Sequence, residues 1–279
     1  MRKKELINLL FLLLLFNVKS AFSQKTELGF MVGPSYYYGD IVNTFQPLTA
    51  GIAASAFARY HLSMRTSVRA NLSYGLIRGS DDIESNSEWQ RVRNMDFRTH
   101  IIEGSGIMEY NLRPDENRGR RVKTSYIPYI FGGIGFIYFE SYRDNPITGE
   151  SVALRPLQLD GTNYAPIAIC VPFGYGMRFY MNRNWTIGFE IGARWTSTSQ
   201  LDNVDGQSIY PAAENLPSDL ARLMYDPSVR ERARPGKPRG KIDFINDLYV
   251  LSGVTLSYRI WPTGVRPLGG KLIPCPRIF

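Results

Sequence analysis

Apolar and polar residues alternate one for one through TSVRANLSYGLIRG, residues 66–79. Val68, Ala70, Leu72, Tyr74 and Leu76 fall on one side. Ser67, Arg69, Asn71, Ser73 and Gly75 fall on the other. That is the period-two pattern of a β-strand with two unlike faces. NWTIGFEIGARWTS, residues 184–197, repeats it. Trp185, Ile187, Phe189, Ile191, Ala193 and Trp195 oppose Thr186, Gly188, Glu190, Gly192, Arg194 and Thr196. Six further stretches obey the same rule, near 26–38, 48–62, 97–112, 125–139, 165–181 and 246–260. In the stretch 165–181, Cys170 and Arg178 share a face with Gly174 and Gly176, opposite Ile169, Val171, Phe173 and Tyr175.

Eight long amphipathic strands fit a soluble sandwich or lipocalin-like barrel, with the apolar face inside. They also fit a transmembrane barrel, with the apolar face turned to lipid. Three features favour the second. The polar face is rich in Gly, Ala and Ser, as the narrow interior of a small closed barrel requires. Tyr36, Tyr38, Tyr74, Tyr138 and Trp195 stand near one end of the apolar faces. Tyr60, Tyr110, Tyr126, Phe179, Trp185 and Tyr258 stand near the other. Aromatic rings prefer headgroup depth, so these would form two girdles. Finally, connections at 61–65, 113–124 and 182–184 are compact, whereas 39–47, 78–95, 140–164 and 198–245 are longer. Outer-membrane barrels pair short periplasmic turns with long external loops. The expected fold is therefore all-β, an eight-stranded antiparallel transmembrane barrel with both termini in the periplasm. Pro34, Pro128, Pro166 and Pro172 interrupt this pattern and predict bulges or strand ends, because a closed barrel has no free edge for proline.

The first residues, MRKKELINLLFLLLLFNVKSAFSQ, sharpen the compartment. Arg2, Lys3 and Lys4 precede an apolar run from Leu6 to Val18, and Ala21 and Ser23 are small residues two apart. This is the layout of a secretory signal peptide over 1–23. The run is short for a membrane anchor, and no cysteine follows it to accept lipid. The barrel then occupies 24–260, with a long external loop at 198–245 and a periplasmic tail at 261–279. Gly (25) and Tyr (17) are abundant and aromatics make up 13 %, in keeping with β-structure. The net charge of +8 includes the leader's lysines and arginine, and the remaining excess lies in loops. It is not a nucleic-acid footprint.

Candidate chemistry is sparse. Arg59, Arg69, Arg178, Arg194 and Arg259, with Glu103, Glu109 and Glu190, fall on the interior face. Buried charges must pair, so these predict a hydrogen-bonded plug in preference to an ion path. His61 and His100 are the two histidines. His100 would sit near the external rim facing lipid, where a lipid-modifying enzyme would place its base, but Ser105 lies on the opposite face of that strand. There is no CxxC or HExxH spacing, no GxGxxG in IPYIFGGIGFIYF (127–139), and no cofactor or metal is expected. SDDIESNSE (80–88) reads as a solvated acidic loop. ENLPSDLARLMYD (214–226) predicts a short helix capped by Ser218 or Asp219, with Leu220, Leu223 and Met224 on one face. RERARPGKPRGK (230–241) is basic and rich in Pro and Gly. A loop this long is usually functional or disordered.

Several of these stretches together resemble the PorG-like outer-membrane barrel subunit of the Bacteroidota type IX secretion system. They are YYYGDI (36–41), SYGLIRGSD (73–81), IPYIFGGIGFIYF (127–139), PLQ (156–158) with Gly161–Thr162, VPFGYGMRF (171–179), GFEIGARWTSTSQLDNV (188–204) and GVTLSYRI (253–260). Asp202-Asn203-Val204 departs from the Asp-Asp-Val usual there, and the fourth loop is long and basic. In strand number the chain is of the size of OmpX and OmpW barrels. The resemblance implies a non-enzymatic part that docks a periplasmic ring, built of a lipoprotein and its partner protein, to the outer membrane. It implies contact with outer-membrane lipids, and a role in secretion and in some bacteria gliding. The alternatives are a generic small barrel, as stabiliser or adhesin, and a lipid-modifying barrel enzyme. The tail ends KLIPCPRIF (271–279). Pro274 and Pro276 hold Cys275 extended. Cys170 points into the barrel, so an internal bridge would need distortion. Cys275, Pro274, Pro276 and Phe279 are therefore candidate docking residues, with Cys275 available for an intermolecular disulfide in the oxidising periplasm.

Overall fold

The computed structural model describes residues 26–39, 41, 46–81, 94–116, 125–161, 163–204, 215–225 and 246–260. The leader, the basic stretch 230–241 and the tail with Pro274, Cys275, Pro276 and Phe279 lie outside the described residues. Among the described residues nine strands run in chain order: β1 Thr26–Tyr38, β2 Gly51–His61, β3 Thr66–Ser80, β4 Asp96–Asn111, β5 Tyr126–Asp144, β6 Ser151–Ala153, β7 Ile167–Tyr180, β8 Trp185–Thr196 and β9 Leu248–Ile260. Every pairing is antiparallel, and β1 pairs with both β2 and β9, so the eight long strands close into a barrel. Following register partners from Thr26 through Tyr60, Val68, Met108, Gly132, Phe173, Ala193 and Val250 returns to β1 at Tyr36. The circuit has climbed ten residues along β1. Stagger and tilt are linked, and strands in such barrels lean about 35–45° from the axis.

The alternation seen in the sequence resolves into an outside and an inside. Phe136 is 61 % exposed, Leu72 62 % and Ile167 61 %, whereas Glu27 and Glu109 are fully buried and Arg178 is 1 % exposed. A soluble barrel would show the reverse, so the outer wall is built for lipid. Tyr38, Tyr74, Tyr138 and Trp195 face outward at one end, and Tyr110, Tyr126, Trp185 and Tyr258 at the other. The barrel's first and last strands begin and end together at the same end as the turns at 62–65 and 181–184, through Thr26 paired with Ile260. We call this the short-turn end and its opposite the long-loop end. Among the described residues no helix is long and apolar enough to cross a membrane.

Three expectations need correction. Pro34, Pro128 and Pro172 lie inside strands, and the register on either side of them does not shift. The ladder to one neighbour simply lapses, at Gly33–Pro34 against β9 and at Val171–Pro172 against β5, while the other side stays paired. A missing N–H thus costs one rung without inserting a residue. Second, β5 runs beyond 139 to Asp144 and turns back into β6, within a stretch expected to be loop. Third, the short helix α1, Asp219–Tyr225, buries Ala221, Met224 and Tyr225, while Leu220 and Leu223 are exposed. The Ser218 hydroxyl accepts the Ala221 N–H at 3.1 Å, as a capping residue does.

The interior is tight enough to demand glycine. Gly174 pairs with Gly192 across β7 and β8, and the Phe131 ring lies over both. A Cβ at Gly174 would stand 2.3 Å from the Ile191 carbonyl oxygen and 2.7 Å from Phe131. Gly174→Val is therefore expected to prevent closure. The check is the heat-modifiable electrophoretic shift of a folded barrel, which a wild-type-like shift in the variant would contradict.

Candidate functional site

The interior is filled by charge. At the short-turn half, inward positions of β1 to β4 and β7 to β9, with Asp115 from the turn after β4, bring four arginines and four carboxylates together: Arg59, Arg69, Arg178 and Arg259 with Glu27, Glu109, Glu190 and Asp115. Arg59 holds Glu109 in a fork, Nε to Oε2 at 2.8 Å and Nη2 to Oε1 at 3.1 Å, and reaches Glu27 through Nη1 at 2.7 Å. Arg69 forks Glu190 at 2.5 and 2.9 Å and touches Glu109 at 3.2 Å. The Tyr129 hydroxyl donates to Glu190 at 2.7 Å. Arg178 lies 3.7 Å from Glu109 and donates to Asn111, and Arg259 reaches Asp115 at 3.1 Å and Glu27 at 3.7 Å. Aromatic rings separate the cations. Arg59 and Arg69 flank Phe57 at 4.9 and 5.2 Å, and Arg178 lies 4.7 Å from the Tyr129 centroid. Such contacts add to the ion pairs where water is absent.

A second, smaller layer sits nearer the long-loop end. Glu103 accepts from Arg194 Nε at 3.1 Å, from Tyr249 at 2.8 Å and from Ser105 at 2.6 Å. Cys170 is buried in this region with a free thiol. Among the described residues each layer is balanced, four cations to four anions and then one to one. Forked geometry and extra hydrogen bonds are what a buried ion pair needs to offset desolvation. The interior of an eight-stranded barrel is just wide enough for side chains to fill, and these layers fill it with paired charge.

Above these layers the barrel mouth is apolar. Ile77, Phe97, Ile101, Phe139, Leu201, Val204, Leu216 and Met224 belong to one buried cluster. The segment 198–204, just after β8, is pinned into it. The Leu201 N–H donates to Asp247 at 2.8 Å, and its carbonyl accepts from Thr99 at 2.6 Å and Ser141 at 2.8 Å. Asp202 accepts from Ile41 and Val204 N–H, and Asn203 takes a left-handed φ of 59°.

The eight interior charges read from the sequence all stand in these two layers. Sequence reading did not find Glu27, Asp115 and Tyr129. Glu27 was legible, since it alternates with Leu28 and Phe30. Asp115 was not, because it follows a strand in a turn that folds back beneath the barrel. His61 is also placed inside: its Nε2 faces Glu27 at 3.0 Å and its Nδ1 faces Ser67 at 2.9 Å. This Ser–His–Glu chain has the members of a nucleophilic triad. Ser67 is fully buried, however, and Glu27 is shared with Arg59, Arg259 and Ser257. The chain closes the short-turn end of the network. His100 is on the outer wall, bonded to the Tyr74 hydroxyl at 2.7 Å, while Ser105 points inward to Glu103. The two do not meet. Among the described residues no group of His, Cys, Asp and Glu is arranged to hold a metal ion.

An eight-stranded closed barrel with a lipid-facing apolar wall and a polar, ion-paired interior defines a small outer-membrane-type β-barrel protein. The chain belongs to the family described as Domain of unknown function (DUF6089), whose model matches residues 4–218. No curated protein matches it. Among solved structures it is similar to Ail, the attachment invasion locus protein of Yersinia pestis, in complex with the heparin analogue sucrose octasulfate. The identity is 10 %, with 85 % of this chain and 99 % of that one covered, at a TM-score of 0.41. Neisserial surface protein A is 9 % identical over 84 % of this chain and 97 % of its own, at 0.39. OprG from Pseudomonas aeruginosa is 7 % identical over 86 % and 98 %, at 0.38.

Proposed function

We propose that this barrel is a non-enzymatic outer-membrane anchor of the type IX protein secretion machinery, docking the periplasmic ring complex and supporting secretion, and with it gliding where the bacterium glides. The observation that carries the reading is the balanced charge plug: a lumen filled this way leaves the ends and the wall of the barrel as its working surfaces. The ordered motifs from YYYGDI (36–41) to GVTLSYRI (253–260) support the assignment to that machinery. Short turns in outer-membrane barrels face the periplasm, so in this reading both ends of the barrel domain open there. The chain after Ile260 then starts beside the ring. Residues 261–279 act as the strap, with Pro274, Cys275, Pro276 and Phe279 at its tip and Cys275 as a covalent latch.

The test is a mild detergent extract of native membranes. The ring lipoprotein and its partner are expected to co-purify with the full chain and to be lost when 261–279 are removed. An intact complex without the tail rules out the strap, and a purely monomeric band on a non-reducing gel rules out the latch. A generic stabilising or adhesive barrel fits the same closed lumen; it predicts normal secretion in a deletion strain. A lipid-modifying enzyme predicts altered lipid A on deletion, with His100→Ala behaving like the deletion.

A further inference from the structure

On the outer wall at the long-loop end, two arginines stand directly opposite each other. Arg78 of β3 is the register partner of Arg98 of β4, whose other partner is Tyr142 of β5. Side chains so placed are about 5 Å apart at Cβ, and like charges there are destabilising. Inside the barrel every arginine layer is balanced by carboxylates. Here, among the described residues, Arg78 faces no carboxylate partner. Arg98 uses only Nη2, on Asp144 and on the Ser151 hydroxyl. Asp96 is engaged by Arg143 at 3.3 Å. Arg78 is exposed and has no ion pair or hydrogen bond among the described residues. The cleft these residues line has a volume of about 400 Å³ and is bounded on one side by Leu48, which is 76 % exposed. Arg143 reaches this lining from the inner face of β5 and is buried, so Arg78 is the cation of the cleft left without a carboxylate among the described residues.

The position of the cleft says what meets it. Tyr74, in the aromatic girdle, bonds His100, and His100 meets Tyr142 edge-on at 5.6 Å between centroids. This ladder climbs from the girdle to the arginines. Arg78 is four residues beyond Tyr74 on the same strand face, ~13 Å along the strand and less in height because the strand is tilted. With that tilt the strand carries Arg78 about 10 Å above the girdle, at the outer edge of the headgroup layer, and a long arginine side chain reaches back into it beside an exposed leucine.

We propose that Arg78 and Arg98 form a binding site for the phosphate group of an anionic lipid in the leaflet at the long-loop end. Two guanidinium groups converging on one phosphate provide planar, charge-assisted hydrogen bonds. Such a ligand also removes the repulsion between the pair. Leu48 and Tyr142 give it apolar contact that inorganic phosphate does not use. The site needs only that the barrel sit in a bilayer, so it is independent of the secretion role.

The test uses the full chain in lipid nanodiscs containing phosphatidylcholine with a minority of phosphatidic acid, with retained lipid counted by native mass spectrometry. The wild type is expected to retain phosphatidic acid in preference, and Arg78→Gln/Arg98→Gln to weaken retention about tenfold or more. Arg78→Gln alone, at an exposed residue without a partner among the described residues, provides a variant whose folding is not at stake. Equal retention by wild type and both variants overturns the site. Displacement of the lipid by millimolar inorganic phosphate overturns the lipid as its source and assigns the arginines to a soluble anion.

Discussion

Glu109→Gln is expected to lower the unfolding free energy of the barrel by about 3–5 kcal/mol, the usual cost of removing one partner from a buried ion pair. Glutamine keeps the shape of the side chain and one acceptor, so the loss reports charge and not volume. Glu109 is the hub of the larger layer, held by both nitrogens of the Arg59 fork, by Arg69 and by Arg178. Neutralising it leaves four arginines facing three carboxylates at a depth where water cannot compensate. The measurement is urea unfolding in lipid vesicles, followed by tryptophan fluorescence and the heat-modifiable shift. A companion variant separates two readings of the plug. Arg69→Met/Glu190→Met removes a cation and an anion together and keeps the volume. Replacing a whole buried pair in this way is often neutral or stabilising. If the double variant holds while Glu109→Gln fails, the plug is demanding because it must be balanced, not because each bridge adds stability. Equal tolerance of both changes would mean that water reaches the layer and that the lumen is not sealed.

The strands were legible because the bilayer enforces the pattern. From Val68 to Leu76 every second residue must be apolar for lipid, and the interior must be small or paired, so the period-two signal is unbroken. The signal fades where the wall leaves the hydrocarbon core of the membrane. Glu140, Tyr142 and Asp144 on the outer face of β5, with Ser141 and Arg143 inside, offer no contrast between faces. That is why the extension of β5 and its hairpin with β6 were invisible. Interior charges were legible as positions but not as partners. Which arginine meets which glutamate depends on the ten-residue stagger, and no single strand encodes that. The mouth of the barrel was least legible. Leu201, Asp202 and Asn203 read as an ordinary loop, yet they are buried, because the Leu201 backbone groups are satisfied by side chains from β4 and β5 and by Asp247, and the Asp202 carboxylate accepts the Ile41 N–H.

Asp247→Ala is expected to release that mouth while leaving the barrel folded. Asp247 lies one residue before β9 and joins two elements distant in sequence. One carboxylate oxygen accepts the Tyr37 hydroxyl at 2.6 Å and the other accepts the Leu201 N–H at 2.8 Å. Both bonds are buried and charge-assisted, a class that contributes about 1.5–3 kcal/mol each. Losing both lowers the local opening free energy of 198–204 by about 3 kcal/mol or more. Amide exchange at Leu201 then accelerates by about two orders of magnitude, at 1.4 kcal/mol per factor of ten. Asp247→Asn should fall between the two, since an amide can still accept from Leu201 and donate to the Tyr37 oxygen, though without the charge. Unchanged exchange in the alanine variant would mean that the Thr99 and Ser141 bonds to the Leu201 carbonyl hold the segment by themselves. The same variant tests whether the apolar dome is the seal. Beneath it the Arg194–Glu103 layer and the larger charge layer remain intact. Opening the dome is therefore expected to give no rise in ion conductance across a planar bilayer. A conductance that appears on loosening 198–204 would move the seal from the ion-paired layers to the dome, and with it the case for a barrel that works only through its ends and wall.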